Sequence, residues 1–126
     1  MDHFTYRNFD LCCEQVSLRS LAADIGTPAY VYSKAALLES YRAYDDAFAE
    51  VPHVVCYSIK ANANLGVLAT LARAGAGADI VSGGELFRAL RAGFRLARLS
   101  SRASVRRATR CGTRSRPRSS CSTSSR

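Results

Sequence analysis

Lysine is scarce in this chain. Of its 18 basic side chains, sixteen are arginine and only two, Lys34 and Lys60, are lysine. The two cations differ in what they can do: a desolvated ammonium loses its proton and the amine then attacks a carbonyl, whereas a guanidinium stays charged. Lys60 lies in Tyr57-Ser58-Ile59-Lys60-Ala61-Asn62, directly after the apolar run Val54-Val55-Cys56. Such a run, nearly continuous and rich in β-branched residues, reads as a buried parallel strand. Asn64-Leu65-Gly66-Val67-Leu68 then begins an amphipathic pattern. Lys60 is therefore expected where a strand passes into a loop and a helix, at the carboxyl edge of a parallel sheet, where ligands of α/β proteins bind. On spacing alone two readings stay open: an amine that forms a Schiff base with a carbonyl ligand, and a solvated surface charge, the ordinary state of lysine.

Other reactive groups point nowhere in particular. The five cysteines, Cys12, Cys13, Cys56, Cys111 and Cys121, are odd in number, and no pair has zinc-ribbon spacing, so no metal site is expected. Cys56 reads as a small core residue of its strand, His53 as a structural residue ahead of that strand, and His3 as terminal and solvent-exposed. Unpaired cysteines suit a reducing, cytoplasmic compartment. No apolar run reaches about 18 residues, so no membrane span is expected, and Met1-Asp2-His3-Phe4 does not begin a signal peptide.

The elements that must position Lys60 follow from periodicity. Residues 4–16 suggest one or two short strands. Ser17 caps a helix with apolar positions at 18, 21, 22 and 25, stopped by Gly26 and Pro28. Ala29-Tyr30-Val31-Tyr32 reads as a strand, and Ser33 caps a helix from Lys34 to about Glu50. A strand is expected at 53–59, a helix from Asn64 to Gly75, a strand at 78–81, and a helix from Ser82 or Gly83 to Gly93. Strict alternation makes this an α/β fold with a parallel sheet and right-handed crossovers. Pattern alone does not choose an open sheet over a barrel.

Three ordered blocks carry a resemblance. Tyr57-Ser58-Ile59-Lys60-Ala61-Asn62 resembles the cofactor-lysine motif of the pyridoxal-phosphate decarboxylases that act on diaminopimelate, ornithine and arginine. The block Gly75-Ala76-Gly77-Ala78-Asp79-Ile80-Val81-Ser82-Gly83-Gly84-Glu85-Leu86 follows at that family's spacing, and Gly26-Thr27-Pro28-Ala29-Tyr30-Val31-Tyr32-Ser33 precedes it. The Asp-Ile-Val-Ser-Gly-Gly-Glu-Leu wording is most similar to the diaminopimelate branch, since the ornithine branch usually differs at the Gly-Gly pair. The resemblance covers roughly residues 4–94.

The resemblance implies the first βα units of a PLP-binding (β/α)8 TIM-like barrel, with pyridoxal 5'-phosphate as cofactor. It implies that Lys60 is catalytic and binds the cofactor, and that Asp79 and Glu85 are cofactor-site acids near the lysine. Each acid also has a plain structural reading: Asp79 as a satisfied polar residue of a strand, Glu85 as a first-turn helix acid complementing the dipole. The implied reaction is decarboxylation of meso-2,6-diaminopimelate to L-lysine, on a small amino-acid substrate, in a homodimer. A related ornithine- or arginine-type decarboxylase is the alternative. The family's phosphate loop and substrate residues lie further along its chain, so this chain by itself is expected to be an inactive N-terminal piece.

Charge divides the chain. Residues 1–94 carry eight Arg/Lys and ten Asp/Glu, whereas residues 95–126 carry ten Arg and no acid. The expected organisation is thus 1–94 as the N-terminal part of the barrel domain and 95–126 as an Arg/Ser-rich tail. Such a tail buries too little apolar surface to order itself. It reads as an out-of-frame translation of a GC-rich gene; a nucleic-acid-binding tail is the rival, and it lacks stacking aromatics and any RNA-binding motif.

Overall fold

The computed structural model describes residues 2–101. They form two three-stranded sheets and four helices. The first sheet is antiparallel: β1 (Phe4–Arg7) pairs with β2 (Asp10–Cys13), and β2 with β3 (Val16–Ser17). Where one or two strands were expected there are three, because two tight turns, with Asn8, Phe9 and Glu14 at positive φ, fold the segment back twice.

Helix α1 (Leu18–Ile25) begins where Ser17 Oγ accepts from the Ser20 N–H at 3.2 Å. Helix α2 (Lys34–Ala47) begins at Ser33, whose Oγ accepts from the Ala36 N–H at 3.0 Å. Its cap has a second layer absent from the sequence reading. The Glu14 carboxylate, on the β2–β3 turn, accepts from Ser33 Oγ at 2.7 Å and from the Ala35 N–H at 2.8 Å. These bonds, the Ala35 amide first, hold the Glu14 carboxyl below its usual range. A carboxylate at a helix N-terminus meets both unpaired amides and the positive end of the dipole, so Glu14 ties the antiparallel sheet to the α/β part. His3 does the same from β1's approach, with Nε2 2.7 Å from Glu39 Oε2. Its side chain is only 18% exposed, which corrects the expectation of a solvent-exposed terminal residue.

The second sheet is parallel, in the order β4 (Cys56–Ser58), β5 (Gly77–Ile80), β6 (Leu99–Ser101). Helix α3 (Leu65–Ala74) connects β4 to β5, and α4 (Gly83–Ala92) with a 3-10 turn (Leu96–Arg98) connects β5 to β6. Asn64 and Ser82 cap the two helices, and left-handed Gly75 and Gly93 end them, as the sequence leads one to expect. The core lies between sheet and helices, and its buried members include Ile59, Val67, Leu68, Leu71, Ala78, Ile80, Ala89 and Phe94. At Gly77 a side chain has no room. A Cβ there would lie 2.6 Å from the Arg98 carbonyl and 2.7 Å from Cys56 Sγ, so the close approach of β6 to β5 requires glycine.

Several expectations are corrected. Residues 29–32 join no ladder among the described residues, and Tyr30 is 89% exposed. The strand expected at 53–59 shrinks to Cys56–Ser58, because only this part faces β5 in register and residues 59–61 tighten into a 3-10 turn. Cys56 is exposed rather than core. Past Phe94 the described residues still carry regular structure. Residues 96–98 form a 3-10 turn, and 99–101 form the third parallel strand, held by the Ala78–Leu99 and Asp79–Ser100 pairs. The remainder of the expected tail lies outside the described residues. No described helix is long and apolar enough to cross a membrane.

His53 staples α2 to the approach to β4. Its Nδ1 lies 2.9 Å from the Val51 carbonyl and its Nε2 3.1 Å from Asp45 Oδ1. Both neighbours are acceptors, so only the doubly protonated ring satisfies both. The Val51 carbonyl, then Asp45, raise the ring's pKa against the opposing effect of burial. A folded pKa above the unfolded value of about 6.5 means stability that is full below that pH and is lost as pH rises through the folded value. The urea midpoint of the chain is expected to fall between about pH 6 and pH 8, and the fall should be smaller in His53→Ala. Equal falls in the two chains would count against the staple.

Candidate active site

Side chains alternate across a sheet, and partners in a parallel register share a face. Tyr57, Ala78 and Leu99 are mutual neighbours that pack on the helix-side core. Ser58, Asp79 and Ser100, one residue further along each strand, therefore form a row on the opposite face. Cys56 and Gly77 precede them on that face. The Asp79 charge reaches the Cys56 thiol, which is pushed up first by burial and then by that carboxylate.

Lys60 comes two residues after Ser58, in the 3-10 turn Ile59–Ala61 at the carboxyl end of β4. Ile59 is fully buried and pins this turn to the core. Lys60 beside it is exposed, and no hydrogen bond or ion pair among the described residues engages its ammonium. The turn packs against both β5 and α4, so the elements carrying Lys60, Asp79 and Glu85 meet. Asp79 is half-buried.

Glu85 stands in the first turn of α4, where its Oε2 accepts from the Val81 N–H at 2.8 Å. In return Ser82 Oγ accepts from the Glu85 N–H at 3.2 Å. This reciprocal arrangement is a capping box shifted by one residue, and its wording, Ser followed three residues later by Glu, is legible in the sequence. One positioning residue was not. Arg88, on α4, donates to the Ala63 carbonyl at 3.2 Å and so holds the loop that follows Lys60. Asn62 Oδ1 accepts from the Asn64 N–H at 2.9 Å, a local turn bond. An added Cβ at Gly83 meets nothing within 4 Å, so the Gly-Gly pair reflects no close packing in this structure. Among the described residues, no three His, Cys, Asp or Glu side chains gather as a metal site would need.

A primary amine at the carboxyl end of a parallel strand, with a carboxylate on the neighbouring strand, is an arrangement that can hold an aldehyde cofactor. The family model described as pyridoxal-dependent decarboxylase, pyridoxal binding domain, matches residues 34–115. The chain belongs to the pyridoxal-dependent decarboxylases. The match runs past Phe94, where the motif-level resemblance stops. The diaminopimelate decarboxylase of Pseudomonas aeruginosa is 58% identical over 93 residues, 74% of this chain and 22% of that protein. That of Vibrio cholerae is 54% identical over 94 residues, with the same coverage. Among solved structures, the diaminopimelate decarboxylase of M. jannaschii in co-complex with L-lysine superposes with a TM-score of 0.75 at 32% identity, covering 79% of this chain and 24% of that one. This pyridoxal-dependent decarboxylase chain thus spans about a fifth of the length of the curated relatives it matches.

Proposed function

We propose that this chain supplies the cofactor-lysine corner of a pyridoxal 5'-phosphate-dependent, cytoplasmic decarboxylase that converts meso-2,6-diaminopimelate to L-lysine. The observation that carries the reading is the placement of Lys60: an exposed amine on a turn pinned by buried Ile59, at the end of β4 where the Ser58–Asp79–Ser100 row also ends. The relatives' names, and the L-lysine in the M. jannaschii structure, support the substrate.

The donor set fits the aldehyde end of the cofactor. Lys60 would hold it through Nζ, which only the neutral amine can do. When bound, pyridoxal 5'-phosphate supplies the electron sink for the pair left behind as the substrate's α-carboxylate departs as carbon dioxide. The rest falls to protein groups. While Nζ is not holding the cofactor, Asp79 would be the carboxylate that holds and orients its ammonium form. Glu85 serves the site by position: its cap fixes residues 81–82 at the mouth of the sheet. Arg88 steadies the loop after Lys60 in the same way. The three described parallel strands fall short of the eight that close a barrel, so carbon dioxide release by this chain alone is not expected.

The test uses the full 126-residue chain. After incubation with pyridoxal 5'-phosphate and borohydride reduction, peptide mass spectrometry is expected to locate the pyridoxyl group on Lys60. A mark confined to Lys34 or the N-terminus would overturn the reading.

A further inference from the structure

A second polar site lies at the other end of the strands. Gly75 and Ala76 immediately precede β5, and Arg95 and Arg98 precede β6, so the cleft they line with Arg73 and Gly93 opens at the amino edge of the parallel sheet, opposite Lys60. Its volume is about 200 Å³. Three exposed guanidiniums line it, and no carboxylate does.

Arginines near helix ends have an ordinary explanation, because the C-termini of α3 and α4 carry negative partial charge. That explanation covers two of the three. Arg73 sits in the last turn of α3 and donates from Nε to the Ala69 carbonyl at 3.2 Å. Arg98 donates to the Gly75 carbonyl at the α3 cap. It does not cover Arg95. Helix α4 already has Arg91 in its last turn, and the Arg95 side chain makes no hydrogen bond or ion pair among the described residues. Magnitudes point the same way. Two helix ends bring roughly −0.5 charge each, so three guanidiniums leave about +2 in the cleft. Asp45, which bonds Tyr41 beside Gly75, accepts from that hydroxyl at 3.3 Å and faces His53 at 3.1 Å.

We infer that the cleft between the C-terminal ends of α3 and α4 binds a phosphate-type dianion, gripped by Arg73, Arg95 and Arg98. Guanidinium forks match phosphate oxygens two at a time, and charge-assisted bonds of this kind are the strong ones. The ligand is either inorganic phosphate or the phosphate of a small monoester. The site is independent of Lys60 and of the cofactor.

The test uses the full chain with no pyridoxal phosphate added. Inorganic phosphate and glycerol phosphate are titrated separately by equilibrium dialysis, and whichever binds tighter names the source. Arg95→Gln is expected to weaken binding about tenfold, the effect of one charge-assisted contact. Arg91→Gln, outside the cleft, should leave it unchanged. As a check that needs no variant, phosphate should protect Arg73, Arg95 and Arg98 of the native chain from phenylglyoxal, read by mass spectrometry, while Arg42 and Arg91 stay reactive. Absence of saturable binding, uniform protection of all arginines, or an Arg95→Gln chain that binds as the native one does would each defeat the proposal. The last result would assign the affinity to arginine charge in general.

Discussion

The Lys60→Arg chain is expected to lose all borohydride-trapped pyridoxyl label at position 60, while its far-ultraviolet circular dichroism stays that of the native chain. The substitution keeps length, positive charge and exposure, so a lysine that served only as a solvated cation would not be missed. What it removes is the ability to become a neutral nucleophile, since a guanidinium does not deprotonate in proteins. The loss at position 60 should be complete rather than partial, because a guanidinium there leaves no amine to trap, and Lys34, which opens α2, gives a separate peptide. Residual label on Lys34, at the level given by any exposed lysine, is the internal standard. Undiminished total label in Lys60→Arg would sink the assignment of Lys60.

The second large effect concerns the scaffold behind that lysine. Leu68→Ala is expected to cost about 3 kcal/mol of unfolding free energy, within the range for large-to-small changes in cores. Leu68 and Ile59 are the two largest fully buried side chains, and both belong to the one cluster between the parallel sheet and its helices. A cavity at Leu68 therefore loosens the same core that pins the Lys60 turn through Ile59. The measurement is a urea titration. An unchanged midpoint and slope would mean that this cluster does not hold the α/β units together.

Helix starts were the most legible part of the fold. Ser17, Ser33, Asn64 and Ser82 each cap the helix that their position announces, and Gly26, Gly75 and Gly93 end three of the four. These are contacts between residues two or three apart, so local sequence contains both partners. Strands were less legible, because a strand exists only through its ladder. Residues 29–32 have the composition of one and no ladder partner among the described residues, while Leu99-Ser100-Ser101 looks like tail and pairs with β5. Cys56 went the same way: its apolar neighbours suggested burial, and its register placed it on the face of Ser58 and Asp79, where it is exposed.

The site divides along the same line. The motif around Lys60 and the serine–glutamate cap at α4 are written in consecutive residues, and with them the lysine chemistry and its place at the end of a strand. Other features required the chain to fold. The row joining Ser58, Asp79 and Ser100 depends on the register of three strands separated by two helices. The grip of Glu14 on α2, the bond from Arg88 to the Lys60 loop, and the convergence of Arg73, Arg95 and Arg98 depend on contacts spanning some twenty residues or more. Local chemistry is encoded locally because a cap or a motif lysine needs only its neighbours. A register or a shared cleft is set by how buried apolar faces settle against one another, and no short stretch of sequence contains both sides of that contact.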